Sequence, residues 1–107
     1  MYQGTTPTIP ITIKGVDLTL AKLFLTLEDD MKTQKITFES GEDFTVTFDG
    51  TNTVGTVRLT QEQTLAMSVG NGYAQIRYIF QDGTADATNK AKFHIDPVLL
   101  KGVIEYG

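Results

Sequence analysis

The chain has no cysteine, no tryptophan, one histidine and three prolines among its 107 residues. Without cysteine there is neither a disulfide nor a thiolate metal ligand, so the fold rests on packing and hydrogen bonds. The lone histidine, His94, is too little for a zinc site, which takes several Cys or His ligands. A Ser/His/Asp triad would need Ser40 or Ser68 beside it, and nothing in the local sequence favours that. No apolar run approaches the roughly 20 residues that cross a membrane. The opening residues lack the basic start and continuous apolar core of a signal peptide, so the expectation is a soluble, cytoplasmic product.

Positive charge is sparse and dispersed. Nine Lys and Arg stand against thirteen Asp and Glu, a net charge of −4, and no basic cluster forms, which weighs against a nucleic-acid surface. The acids are denser between residues 28 and 49, where Glu28, Asp29, Asp30, Glu39, Glu42, Asp43 and Asp49 fall mostly at turn positions. They read as solvated loop charge. "EDD" at 28–30 could offer oxygens to calcium, but "DGTADATN" lacks the spacing of a calcium loop. "SVGNGY" lacks the Lys-Ser/Thr ending of a phosphate-binding loop and reads as a helix stop entering a strand. No catalytic, cofactor-binding or metal-ligating residue is assigned, and the expectation is a protein that is not an enzyme and carries no cofactor.

What the chain has is alternation. Seventeen threonines, many in "TIPITI", "KITF" and "TVTF", suit the outer face of a pleated sheet. Ile9, Ile11 and Ile13 line a first strand, although Pro7 and Pro10 must sit where no ladder hydrogen bond is needed. The strand either begins after Pro7 or breaks near Pro10 to pass between two sheets. A second strand spans Leu18 to Glu28 with Ala21, Leu23, Leu25 and Leu27 inward; Phe24 is the exception on its polar face. Lys35 to Glu39 and Phe44 to Asp49 follow, with Ile36, Phe38, Phe44, Val46 and Phe48 inward, and then Val54 to Leu59.

"TQEQTLAM" carries the only helix signal, with Thr60 as cap and Gln63 three residues on. Tyr73 to Phe80 is a sixth strand, in which Ile79 breaks the alternation, and Ala91, Phe93 and Ile95 line a seventh. This is an all-β pattern, one domain over 1–107: an immunoglobulin-like β-sandwich of about seven strands with one short helix between the fifth and sixth. An N-terminal arm (1–7) and an apolar C-terminal tail (98–107) flank it.

Three segments carry a resemblance. "YQGTTPTIPITI", "VRLTQEQTLAM" and "AQIRYIFQDG" resemble the small Ig-like proteins of phages and prophages of Gram-positive bacteria, themselves similar to the N-terminal domain of upper baseplate proteins. The opening resembles that family's "GTTPT" and alternating strand, Leu59 to Thr64 its "LTQEET", and Gln75 and Arg77 with Asp82-Gly83 its "IQVRV" strand and turn. The middle, "ITFESGEDFTVTFDGTNTVG", departs from it, being longer and more acidic. The resemblance implies a non-enzymatic virion structural or assembly protein, an interaction module of the tail or baseplate whose partners are other virion proteins or itself. The docking residues expected from the two ends are Tyr2, Thr5, Thr6, Pro7, Leu99, Leu100, Val103 and Ile104. The tail either folds back on its own sheet or adds to a neighbour. The alternative is a small carbohydrate-binding β-sandwich module, with Phe24, Tyr2, Tyr73 and Tyr106 as the aromatic platforms.

Overall fold

The two prolines of the opening segment decide where the first strand lies. In the computed structural model, which describes residues 1–106, strand β1 (Thr8–Lys14) begins directly after Pro7 and runs unbroken through Pro10. It pairs antiparallel with β5 (Asn52–Arg58), Pro10 opposite Thr56. Leu59 donates its N–H to the Pro7 carbonyl at 3.0 Å and Gly15 donates to Thr51 at 3.2 Å, so the odd positions of β1 hold the ladder. Pro10, at an even position, would have aimed an N–H away from β5, and its lack of one costs the sheet nothing. The expectation of a crossing at Pro10 is therefore corrected. The chain does divide between two sheets, but at residues 4–7: Tyr2 forms a parallel bridge with Asp96 before β1 joins the other sheet.

The described residues form eight strands and one helix. One sheet has the order β1-β5-β4, with β4 at Val46–Phe48. The other has β3 (Lys35–Glu39), β2 (Lys22–Asp29) and β6 (Gly70–Ile79) side by side, with β7 (Ala85–Ala87) and β8 (Ala91–Ile95) both against β6. All named strand pairs are antiparallel, and the two sheets make the sandwich that the alternation predicts. β7 and β8 are one broken strand. At the break Thr88 donates its N–H to Ile76 O at 2.8 Å and accepts the Ile76 N–H on its hydroxyl at 3.1 Å. Part of "QDGTADATN", expected as loop, is thus strand.

Leu23, Leu25, Leu27, Phe38, Ile11, Ile13, Leu59 and Ile76 are buried between the sheets, at the parity their strands require. Phe48 is a correction: it lies 37% exposed at the end of β4, while Phe44, ahead of the strand, is buried. Phe48 keeps its parity, opposite the buried Thr53, but as the last residue of β4 it lies at the margin of the sheet. Leu18 is also buried, though the second strand starts only at Lys22. It packs from a loop, its N–H donated at 2.8 Å to the hydroxyl of Thr53, which donates in turn to Val16 O at 2.7 Å. Gly72 leaves room for a neighbour: a Cβ there would stand 2.5 Å from the Phe93 ring, which lies over it from β8.

Helix α1 (Gln61–Ala66) starts as its sequence dictates. Thr60 Oγ1 accepts the Gln63 N–H at 3.2 Å, and Gln63 Oε1 accepts the Thr60 N–H at 2.8 Å, the reciprocal pair of a capping box.

Candidate functional site

The strand registers sort the connections into two poles. Lys14 faces Asn52 and Lys22 faces Ile79, which puts residues 15–21, 49–51 and 80–84 at one pole. The helix, the 30–34 turn, residues 1–7 and the segment after β8 lie at the other.

At the helix pole the chain's first and last segments meet. The Gln3 N–H goes to Asp96 O at 2.9 Å and the Asp96 N–H to Met1 O at 2.7 Å. Gln3 Nε2 donates to Met67 O at 2.7 Å, and Thr64 Oγ1 donates to Thr5 O at 2.9 Å. The N-terminal segment is therefore fastened to the helix and to the edge at Asp96, and not a free arm. Of the docking residues expected there, three are spent on this fastening. Thr5 Oγ1 donates to Tyr2 O at 2.6 Å, Thr6 Oγ1 accepts from Arg58 Nη2 at 3.2 Å, and Pro7 O takes the Leu59 N–H. Tyr2 keeps an exposed ring.

The tail behaves differently. Leu99, Leu100, Val103 and Ile104 are all exposed, Leu99 completely, and Tyr106 beyond them as well. No strand forms past Ile95 among the described residues, so the apolar tail does not add to its own sheet. One clamp holds it. Gln61, the first residue of α1, donates from Nε2 to Ile104 O at 3.0 Å and accepts the Ile104 N–H on Oε1 at 2.8 Å. The amide thus imitates one rung of a β-ladder and fixes the tail's backbone at Ile104 while its apolar side chains remain bare. Gln61 escapes a reading based on hydrophobic pattern, since its role lies in bonding a distant backbone.

The carboxylates and the histidine do no comparable gathering. Asp17, Asp49 and Asp82 close their own turns, accepting N–H groups from Thr19, Thr51 and Asn52, and Thr84, bonds that hold their carboxyls below the ordinary range. Asp29 departs from the expected solvated charge: it is 1% exposed. Burial pushes its pKa up, but the Ser68 N–H, the Thr33 hydroxyl, the Gln34 N–H and the Ser68 hydroxyl outweigh that and hold the carboxyl well below the usual range. Thr33 adds its N–H at 2.7 Å. Glu28 bridges to Lys35 at 3.3 Å, and among the described residues no three potential ligands cluster for a metal. Ser68 is bound to Asp29, Ser40 Oγ accepts the Leu23 N–H, and His94 lies 3.3 Å from Asp96 and 3.4 Å from Asn71, so neither serine is hydrogen-bonded to His94.

A second apolar surface lies on the outer face of the larger sheet. Phe24 and Ile79, the two residues that broke the alternation of their strands, stand diagonally on it, since Phe24 is opposite Arg77 and Lys22 opposite Ile79. With Thr26, Thr37, Arg77 and Ala85 they line a shallow cleft of about 360 Å³. No described helix is long and apolar enough to cross a membrane. Compared with protein-family models, with curated proteins and with solved structures, the chain matches none of them.

Proposed function

We propose that this chain is a non-enzymatic structural or assembly module of a phage or prophage particle, from its tail or baseplate, that docks on neighbouring subunits through the helix pole. The observation that supports this best is the bare tail. Leu99, Leu100, Val103, Ile104 and Tyr106 all lie exposed in one short segment, with the Tyr2 ring exposed at the same pole, and a cluster of exposed apolar side chains marks a surface for contact. The Gln61 clamp holds that segment ready, which lowers the ordering entropy lost on docking. The segments that resemble the phage proteins are the crossing into β1, the capping box and β6. Antibody labelling of induced particles in the electron microscope tests the reading, and label on the tail or baseplate is the expected result. Particles that lack the chain, or saturable binding on a glycan array, would overturn it.

A further inference from the structure

We infer that the tail of one copy binds the outer sheet face of a second copy, in the cleft between Phe24 and Ile79, with Glu105 meeting Arg77. This deepens the docking reading above by naming the partner and the receiving surface.

The two surfaces match in apolarity, and one charge on each suits the other, Arg77 in the cleft and Glu105 on a tail whose other charge is Lys101. The cleft offers Phe24, Ile79 and Ala85, and the tail offers Leu99, Leu100, Val103 and Ile104. On the receiving face Lys22 is paired with Glu39 at 3.4 Å and Lys35 with Glu28 at 3.3 Å, whereas Arg77, in the cleft, and Lys92, opposite Tyr73 and outside it, make no ion pair among the described residues. Glu105, directly after the clamped Ile104, makes none either. A cation set in a partly apolar cleft and an acid at the end of an apolar segment are what an oriented contact needs.

The contact has to be between copies. Ile104 is clamped at the helix pole, whereas the cleft lies toward the other end of β6, about 20 Å along the strand from Tyr73 to Ile79. A clamped Glu105 cannot reach its own Arg77. The donor and the acceptor are also different patches, so the contact is head-to-tail and a bound pair still offers one free tail and one free face. Such a contact propagates, into a ring where the rotation between copies closes and into an open filament where it does not.

Sedimentation of the intact chain over a range of concentrations tests this. Self-association is expected, weakened about tenfold or more by Arg77→Glu or by Glu105→Arg alone, through like-charge apposition, and largely restored when one chain carries both. Since a charge reversal could act non-specifically, a mixture supplies a second reading. Arg77→Glu spoils the face alone and Leu100→Asp with Val103→Asp the tail alone; mixed, they should form a one-to-one dimer that grows no further. All these side chains are exposed, so the variants should melt like the parent. A chain that stays monomeric at high micromolar concentration, or whose association ignores Arg77→Glu, would overturn the inference. If a monomeric chain still entered particles, the inference would fall and the assembly reading would stand.

Discussion

Asp29 and Ser68, 39 residues apart, are joined twice: one carboxylate oxygen accepts both the backbone N–H of Ser68 at 2.9 Å and its hydroxyl at 3.0 Å. The same carboxylate takes the N–H groups of Thr33 and Gln34, so a single buried acid ties the β2–β3 turn to the segment between helix and β6. Asp29→Ala should cost at least about 2 kcal/mol, because several donors lose a charged acceptor in a buried place. Urea unfolding at neutral pH measures it.

The same residue sets an acid limit. Its folded pKa lies below its unfolded value of about 3.9, so its contribution is complete well above that value. It is lost as the pH falls through the folded pKa. The gap in stability between the parent and Asp29→Asn should therefore be full at neutral pH and shrink as titration proceeds below about pH 4. A gap that stayed constant down to the lowest pH at which the parent folds would contradict the assignment.

Thr53 supports Leu18 from underneath. Thr53→Val keeps the shape but strips the Leu18 N–H and the Val16 carbonyl of their partner, and should cost about 1–3 kcal/mol. Thermal melts compared with Thr53→Ser separate the hydroxyl from the methyl.

The two phenylalanines around β4 should part company. Phe44→Ala empties a buried site and should cost about 3–5 kcal/mol, while Phe48→Ala, at a side chain more than one-third exposed, should cost well under that. Equal losses would mean that the edge strand is shifted in register.

Thr60→Ala removes the acceptor of the Gln63 N–H and should lower stability by about 0.5–2 kcal/mol, read from the shift of a denaturation midpoint.

The leucines of β2, the isoleucines of β1 and the capping box were all legible in the sequence, because each follows a period or a fixed spacing that local geometry imposes. Leu18, Thr53 and Asp29 were not. A leucine in a loop has no parity, and the burial of a threonine or an aspartate depends on partners from distant segments, here Leu18 for Thr53 and Ser68 for Asp29. The outer cleft was half visible. Phe24 and Ile79 each stood out within their own strand, but only the pairing of β2 with β6 brings them to one place. The tail's apolarity could be read residue by residue; the Gln61 clamp that holds it could not, since an amide bonding a backbone 43 residues away leaves no pattern.

The edge formed by β1 also determines how copies can not associate. A strand approaching from outside meets a missing donor and a pyrrolidine ring at Pro10, the third of the seven residues of β1. The opposite edge of that sheet, β4, offers just three residues. Fibrillar growth by adding strand to strand is thus interrupted at both margins of the smaller sheet. On the smaller sheet, contacts between copies are then left to side chains rather than to strand backbone.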